Sequence, residues 1–394
     1  ILCYTFTYHP MRFFGKRQPS AHSALSVIIT SDRVELVVSL TAGGRSRIIF
    51  ETGAPIELSV PGVPNEATTA NEAISRPLLL RLSDALKKAC NELTKEGLAH
   101  IVSRTIAKGR FDSVEVFYGA PWYVSRGRHV TIERSGTAPL TENELEELIT
   151  QNIEGVLPSE MKSAVILEEY SQGFTVNGYR VENPIGKEGR EVGMRLFVSA
   201  IDEGTRAAVE DIVFRSFHAH EITHHSTLLR LVRSLRRVTT AENAYLLADV
   251  SGYMTEVSKI DRGMVLGTAS FPEGHETLLR GAAGTLKQRP EEMKTLAARP
   301  KDFGLAPEFR AAHDDALGDW SRRFVEALEA LGMGGMSGNT ILIAETPSQD
   351  SFKNEIARMT GGQVTLLSKD AYISQYDSSA RPNAHVLSAL LVLA

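Results

Sequence analysis

Short strands rich in β-branched residues alternate with amphipathic helices along nearly the whole chain, and this alternation restricts the fold more than any other feature. The segment LSVIITSDRVELVVSL predicts two strands joined by a tight turn at residues 31–33, and SRIIFET predicts a third strand. A helix follows in RPLLLRLSDALKKACNELTKEG, where apolar residues recur at helical spacing and Gly97 ends the run. The same alternation returns later in the chain, so the sequence predicts an α/β fold.

In the centre of the chain the pattern predicts one helix between strands. VEVFY predicts a buried strand, and TENELEELITQNI predicts a helix that starts with Thr141 and Glu144 at capping-box spacing. AVILEEYSQGFTV and GYRVE predict two strands around a turn at Asn177 and Gly178. Beyond VGMRLFVSAI, helices and strands alternate as far as QVTLLSK, with a mainly helical stretch between residues 273 and 331.

Composition and charge exclude several classes of function. The 394 residues carry a net charge of −5, whereas nucleic-acid-binding proteins concentrate Lys and Arg, so we expect no nucleic-acid partner. Cys3 and Cys90 are the only cysteines, which excludes a disulfide framework and a multi-thiolate zinc site and favours a reducing compartment. The longest apolar runs fall short of the roughly 20 residues that span a bilayer, so we expect a cytoplasmic protein.

The N-terminal segment carries aromatic and basic residues side by side. Phe13 and Phe14 are flanked by Arg12, Lys16 and Arg17. A disordered N-terminal tail is the favoured interpretation of this segment. Peripheral contact with the inner face of the cell membrane is the alternative, because aromatic rings enter a membrane interface while basic groups stay at the headgroups.

Taken in order, these segments resemble the FtsA/PilM branch of the actin-like superfamily from residue 25 to the C-terminus. VEVFYGAPWYVSRGRHVTI and the acidic helix after it resemble the start of the family's inserted SHS2-like domain. The tetrapeptide NPIG at residues 183–186 resembles a turn in the second half of that domain, where Pro fixes φ and Gly allows positive φ. The resemblance implies an α/β, two-lobed actin-like fold, a duplicated ribonuclease H-like architecture, with an inserted small α+β domain.

The resemblance also implies an order of units along the chain. These are a flexible N-terminal segment at 1–24, subdomain 1A at 25–118, the inserted SHS2-like subdomain 1C at 119–200, the first part of subdomain 2A at 201–262, a mainly helical and reduced subdomain 2B at 263–335, and the completion of 2A with a closing helix at 336–394.

The segment DVSGYMTE resembles the second phosphate-binding loop of this family. It matches at Asp249, Gly252, Thr255 and Glu256, and Ser251 stands where a glycine is expected. Small residues after a strand let backbone N–H groups approach a phosphate, so the resemblance implies a nucleotide-binding role for these five residues. A plain β-turn with a solvent-facing Asp249 is the alternative, since a motif of this length is a hypothesis.

Two other nucleotide loops of the family have lost their characteristic residues. Ile28 and Thr30 stand at the Asp and Gly positions of the first phosphate loop, and Ala344, Glu345 and Thr346 replace the glycines of the adenosine loop. Glycine brings backbone amides close to a ligand without a Cβ clash, so its loss weakens binding. We therefore predict weak or absent binding of ATP and Mg²⁺, and a pseudo-ATPase.

The leading hypothesis is an actin-like scaffold or adaptor of a membrane-associated bacterial machine, serving pilus or secretion assembly in the PilM manner or cell division in the FtsA manner. The reduced fourth subdomain favours the PilM-like role. We expect the partner to be the cytoplasmic tail of a membrane protein or another division or pilus protein, and a homo-oligomer or filament is left open. The alternative is an active ATP-binding phosphotransferase or ATPase that uses Asp249.

The resemblance implies that a partner's tail docks on the inserted domain at residues 119–200. Aromatic residues near strands and turns would anchor it, and the acidic helix beside them would steer a basic tail. Packing in the small domain's own core is the alternative for these rings. The predicted anchors are Trp122, Tyr123, Tyr170 and Phe174, with Tyr179 beside them.

Three further patterns predict no catalytic or metal site. His218, His220, His224 and His225 span a helix end and a strand, so adjacent imidazoles point to opposite faces and cannot share one metal. GMGGMSG lacks the Lys-Ser/Thr end of a phosphate loop and predicts a linker after a helix. The sequence carries no Gly-x-Ser-x-Gly elbow, so serine hydrolase chemistry is unsupported.

Overall fold

Two five-stranded sheets with the same strand order form two lobes. The computed structural model describes residues 21–57, 76–97, 111–153, 163–219, 221–238, 244–297, 307–333, 338–344, 346, 348–367 and 391. The N-terminal segment at Phe13 and Phe14 considered for membrane contact, His220, Glu345 and all but Leu391 of the predicted closing helix lie outside these residues. Among the residues described, no helix is long and apolar enough to cross a bilayer.

Fourteen strands are present in the described part of the chain. They are β1 (His22–Ile29), β2 (Arg33–Ala42), β3 (Arg45–Pro55), β4 (Ser113–Tyr118), β5 (Tyr123–Glu133), β6 (Ala164–Val176), β7 (Tyr179–Val181), β8 (Glu191–Asp202), β9 (Ile222–Ser226), β10 (Tyr245–Val250), β11 (Thr255–Asp261), β12 (Met264–Phe271), β13 (Thr340–Ile343) and β14 (Val364–Leu366).

Helices separate and follow these strands. They are α1 (Arg76–Glu92), which continues as a π-helical turn over Leu93–Gly97, α2 (Glu142–Ile153), α3 (Glu203–Phe217), α4 (Thr227–Val238), α5 (His275–Leu286), α6 (Pro290–Ala297), α7 (Pro307–Ala330) and α8 (Gln349–Thr360).

The first lobe is built on the sheet β3-β2-β1-β4-β9 and the second lobe on β12-β11-β10-β13-β14. In each sheet the first three strands of the lobe form antiparallel hairpins, and the remaining two strands run parallel to the central one. The hairpin and α/β pattern predicted from the sequence is therefore confirmed. The two lobes repeat one topology.

The inserted sheet, β5-β8-β6-β7, lies in sequence between β4 and α3, and β9 of the first lobe follows α3. The predicted cap of α2 is confirmed, because the N–H of Glu144 donates to Oγ1 of Thr141 at 3.2 Å. The predicted turn is confirmed as well, with φ of 50° at Asn177 and 80° at Gly178. One face of this sheet packs under α2 through Val130, Met194 and Leu196.

A single hydrophobic core joins the two lobes. Leu247 and Ile343 of the second sheet belong to the same buried cluster as Leu25, Val116 and Phe117 of the first. Burying apolar surface stabilises a contact by about 25 cal/mol per Å², so an interface of this kind resists opening. The helices α5, α7 and α8 cover the opposite face of the second sheet in a cluster of their own.

One predicted boundary falls inside a hairpin. A mainly helical unit was expected to begin at residue 263, yet Met264–Phe271 forms the edge strand β12 of the second sheet. Arg262 and Gly263, with φ of 50° and 71°, form the tight turn that returns the chain to that sheet. The helical stretch therefore begins at His275, and the other predicted boundaries remain predictions.

The inserted sheet contacts the second lobe through backbone. A Cβ atom added at Gly127 on β5 would lie 2.8 Å from the carbonyl oxygen of Val265 and 3.1 Å from that of Leu266. One added at Gly173 on β6 would lie 3.3 Å from the sulfur of Met264. Glycine at position 127 therefore lets β12 lie directly against the inserted sheet.

We expect Gly127→Ala to destabilise the protein by about 1–3 kcal/mol, because the new methyl group meets backbone oxygens that cannot rotate away. Thermal unfolding would show this as a lowered Tm. Gly136→Ala is the matched control, since a Cβ there has nothing within 4 Å. Equal melting of the two variants would contradict the backbone contact.

Candidate functional site

A cavity of about 970 Å³ lies between the two lobes. The first lobe contributes the turn of residues 30–32, here the first-lobe turn, together with the ends of β2 and β3. The second lobe contributes the end of β10, the loop of residues 251–253, here the second-lobe loop, and parts of α5 and α6. The cavity therefore opens where the equivalent hairpins of the two lobes face each other.

The second-lobe loop donates its backbone N–H groups to the first-lobe turn. The N–H of Gly252 donates to Oδ1 of Asp32 at 3.0 Å, and the N–H of Tyr253 donates to Oγ of Ser31 at 2.9 Å. The hydroxyls of Ser31 and Ser251 share a hydrogen bond at 2.7 Å. Protein oxygens thus take the donors with which such a loop would hold a phosphate.

Three further N–H groups around the second-lobe loop also have protein acceptors. The N–H of Ser251 donates to the carbonyl oxygen of Met254 at 3.0 Å. At the start of α5, the N–H of His275 donates to the carbonyl of Ser251 at 3.1 Å, and that of Glu276 to the carbonyl of Gly252 at 2.7 Å. These donors at the start of α5 are therefore used within the protein rather than aimed at an anion.

The first-lobe turn is held rigidly in this position. Oγ1 of Thr30 donates to Oδ1 of Asp32 at 3.1 Å, and Nε1 of Trp122 donates to the carbonyl oxygen of Thr30 at 2.6 Å. A Cβ atom added at Gly252 would lie 2.3 Å from Cβ of Asp32. The two hairpins are thus in direct contact, with no space between Asp32 and Gly252 for a phosphate group.

Charges around the cavity oppose a polyphosphate. Six carboxylates line it against three permanent cations, Arg33, Arg280 and Lys294. Arg33 lies 2.7 Å from Glu35 and Lys294 lies 2.8 Å from Glu276, so two of the cations are already paired. Like charges in a cleft of low dielectric repel strongly. The six carboxylates belong to Asp32, Glu35, Glu57, Asp249, Glu276 and Glu291.

Of the five predicted nucleotide-binding residues, some line the cavity and others do not. Asp249 and Ser251 line the cavity, and Asp249 is half-buried on β10. Gly252 packs on Asp32 instead of facing the cavity. A role of these residues toward nucleotide remains a prediction.

Thr255 and Glu256 have other partners. Oγ1 of Thr255 donates to the carbonyl oxygen of Glu273 at 2.6 Å and accepts from Nε1 of Trp320 at 2.9 Å. Both carboxylate oxygens of Glu256 accept from the hydroxyl of Tyr123, at 2.9 and 2.8 Å. Alternate residues of β11 point to opposite faces, so the two side chains leave the site in opposite directions.

Tyr123 and Glu256, which bond to each other, both have strongly raised pKa values. Burial raises the pKa of Glu256 to about 7, and the hydrogen bond from Tyr123 opposes this in part. Burial, followed by the negative charge of Glu256, raises the pKa of Tyr123 well above its ordinary value. The pair lies between β5 of the inserted sheet and β11 of the second lobe.

Packed side chains stand at the positions that the resemblance assigned to the two other nucleotide loops. Ile28 is buried in β1, and Thr30 closes the first-lobe turn through its hydroxyl. Ala344 and Thr346 are buried at the end of β13, and the N–H of Ser348 donates to Oγ1 of Thr346 at 3.3 Å.

Two of the four predicted partner anchors are core residues. Trp122 and Tyr123 are only 1% and 3% exposed, so the prediction that their rings are accessible is wrong. Their side chains bury apolar area while their polar atoms bond to other parts of the chain, which is how aromatic residues satisfy both needs. Tyr170 is 39% exposed, with the guanidinium of Arg233 4.9 Å from its ring, and Phe174 packs partly buried beside α2.

The histidine cluster forms two separate networks. His224 bonds to the hydroxyl of Tyr118 at 3.0 Å and to Glu210 at 2.9 Å, and burial lowers its pKa. His225 lies 3.4 Å from Glu168 on the other side of the strand. Within the described residues no group of His, Cys, Asp and Glu side chains could hold a metal ion.

Sequence reasoning missed Asp32 and Ser31 as residues of the site. The sequence predicts only a tight turn for both, and the family pattern places Ile28 and Thr30 at the first phosphate loop. The available signal was a pair of short side-chain acceptors at the tip of a hairpin, a place where Ser and Asp bond to backbone N–H groups.

Comparison with known proteins shows the fold. No family model and no curated protein matches the sequence. A solved structure of the PilM–PilN type IV pilus biogenesis complex matches over 94% of this chain and 97% of that chain, at 14% identity and a TM-score of 0.61. The chain has an actin-like fold.

Two further solved structures match with lower scores. The ethanolamine utilization protein EutJ from Carboxydothermus hydrogenoformans has 12% identity over 95% of this chain and 92% of its own, with a TM-score of 0.46. A Bacteroides thetaiotaomicron protein with an actin-like ATPase fold and unknown function has 11% identity over 92% and 99%, with a TM-score of 0.42.

We expect Asp32→Ala to destabilise the protein by about 1–3 kcal/mol, because it leaves the N–H of Gly252 without its acceptor. Asp32→Asn keeps an oxygen acceptor and should lose less. Urea unfolding of both variants, with Asp84→Ala on the exposed side of α1 as control, measures the difference. A loss no larger than that of the control would show that the contact contributes nothing.

Proposed function

We propose that this protein is an actin-like scaffold that binds a partner of a membrane-associated machine and does not hydrolyse ATP efficiently. The observation that carries the proposal is that the first-lobe turn occupies the backbone donors of the second-lobe loop. A pseudo-ATPase of this kind keeps the two-lobed shape as a rigid frame. The inserted sheet then serves as the surface that a partner recognises.

A PilM-like role gives the proposal its partner class. The structural likeness is to a protein solved in a PilM–PilN complex, and we extend that partnership to this chain as a hypothesis. The partner would be an extended segment of a membrane protein's cytoplasmic tail, and the protein would work beneath the membrane that holds it. This likeness favours pilus assembly over cell division, as the reduced fourth subdomain does in the sequence.

The side of the inserted sheet beside α4 fits such a segment. Strand β7 pairs with residues 174–176 of β6, and among the described strands only β8 pairs with the rest of β6. An extended peptide can add to an open strand edge through backbone hydrogen bonds while side chains fill neighbouring pockets. Tyr170 and Arg233 lie at this edge and would supply an aromatic and a cationic contact.

An active phosphotransferase remains the second candidate, because the cavity keeps a volume of about 970 Å³ and Asp249 lines it. It would need the first-lobe turn to withdraw from the second-lobe loop when nucleotide binds. The nucleotide titration below distinguishes the two.

We expect ATP with Mg²⁺ at millimolar concentration to leave the melting temperature unchanged and to show no turnover. A ligand at 100 times its Kd stabilises a protein by about 2.7 kcal/mol, which a thermal shift assay detects readily. Asp32→Ala is the informative comparison, since it frees the Gly252 donor and removes a negative charge. A large shift with turnover in the wild-type protein would establish the phosphotransferase instead.

We expect Tyr170→Ala to weaken binding of a partner tail roughly tenfold or more, as loss of an aromatic anchor does. Synthetic peptides covering the cytoplasmic tails of membrane proteins from the same organism, measured by fluorescence anisotropy, provide the assay. Tyr179→Ala is the control, because Tyr179 is 79% exposed on the neighbouring strand β7. Equal losses in both variants, or none, would remove the docking assignment and leave the nucleotide result untouched.

A further inference from the structure

The two faces of the inserted sheet present different charges. The acidic helix α2, which was expected to steer a basic tail, packs on the face that carries Met194 and Leu196. Phe197 follows Leu196 in β8 and therefore points to the other face, and Tyr170 is its partner across β6. The charge that a segment docked at Tyr170 meets thus comes from residues other than those of α2.

Two arginines lie around the Tyr170 ring. Cζ of Arg233, on α4, lies 4.9 Å from the ring centroid. Arg195 pairs with Gly173 across β8 and β6, so it lies on the same face as Tyr170 and diagonally beside it. Diagonal neighbours of this kind are within reach of an aromatic ring and a long side chain. Arg233 is exposed and Arg195 is half-buried.

Within the described residues, neither of these arginines has a carboxylate at ion-pair distance. The nearby acidic groups have other partners. Glu168 accepts from the N–H of Ser226 at 3.1 Å and lies 3.4 Å from His225, and Asp261 lies 3.7 Å from Arg262. Because the whole chain has a net charge of −5, the two cations do not belong to a generally basic surface.

Tyr170, Arg195, Arg233 and Met264 form a recess, here the Tyr170 recess. Arg233 of α4 stands on one side of it, and the start of β12 stands on the other, where the sulfur of Met264 lies 3.3 Å from the position that a Cβ atom would take at Gly173. A flat bilayer surface meets exposed cations, whereas a half-buried one such as Arg195 is reached by a side chain that enters the recess. The shape therefore favours a peptide over a membrane.

We propose that the Tyr170 recess binds an acidic, extended segment of the partner's tail, which specifies the partner of the proposed function and rests on that function. One carboxylate would accept from Arg233 beside the Tyr170 ring and a second would accept from Arg195. A guanidinium presents its N–H groups as a fork that matches the two oxygens of a carboxylate. Every second side chain of an extended segment points the same way, so acidic residues at alternate positions supply both.

Binding of synthetic peptides to the full chain tests this preference. The probe is a short fluorescein-labelled peptide in which Glu alternates with Leu, compared by fluorescence anisotropy with peptides that carry Gln or Lys in place of Glu. We expect the Glu peptide to bind at least roughly tenfold more tightly than the Gln peptide, and to lose affinity as salt is added. Equal affinities of the Glu and Gln peptides would overturn the acidic preference.

Charge reversal separates the recess from the rest of the surface. Arg195→Glu and Arg233→Glu should each weaken binding of the Glu peptide roughly tenfold, and the double variant should prefer the Lys peptide. Arg45→Glu is the matched control and should bind as the wild type, because Arg45 is exposed in the β2–β3 hairpin of the first lobe. Arg195→Lys keeps the charge and should retain binding, which distinguishes a lost contact from a lost fold.

Unchanged affinity for the Glu peptide in both charge-reversed variants would place the peptide elsewhere and overturn the proposal. Sedimentation with phosphatidylserine vesicles that Arg195→Glu and Arg233→Glu abolish, in a protein that binds no peptide, would assign the two cations to a membrane instead. Natural tails that bind through Tyr170 regardless of their charge would contradict only the acidic chemistry, and the proposed scaffold function would stand.

Discussion

A backbone N–H group buried away from water needs an acceptor, and this requirement governs the place where the two lobes meet. Here Asp32 and Ser31 satisfy it, and their positions fix the first-lobe turn, Trp122 behind it and the start of β5. The two hairpins meet in the cleft because buried N–H groups need hydrogen-bond acceptors, and side chains of the protein itself supply them.

The duplicated topology explains why this contact spans such a distance in sequence. Each lobe presents its first hairpin toward the other, so residues 32 and 252 occupy equivalent regions of the two halves. The common hydrophobic core beneath them, with Leu247 and Ile343 against the first sheet, holds the halves at a fixed separation. The hydrogen bonds between the two hairpins and the apolar core beneath them therefore favour the same arrangement of the lobes.

Local sequence patterns predict the helices, strands and turns, whereas long-range contacts determine the geometry of the site. The hairpin at residues 31–33, the cap at Thr141 and the turn at Asn177 and Gly178 each depend on a few neighbouring residues, so the sequence predicts them. The pairing of Asp32 with Gly252 depends on how two lobes dock, and no local pattern records that. Trp122 and Tyr123 were misjudged for the same reason, because a strand with aromatic residues has the same pattern whether it faces solvent or a second lobe.

Gly127 sets what kind of motion the inserted sheet can have. Its Cα lies against the main chain of β12, so at this point no side chain can bend or change rotamer, although Ser125 and Thr268 bond through their hydroxyls two residues away on β5. Where backbone meets backbone in such a contact, the two strands are either at van der Waals distance or separated by at least one layer of water. Relative movement across it would therefore occur as a switch between two positions, and substitutions elsewhere would change how often the switch opens rather than how far.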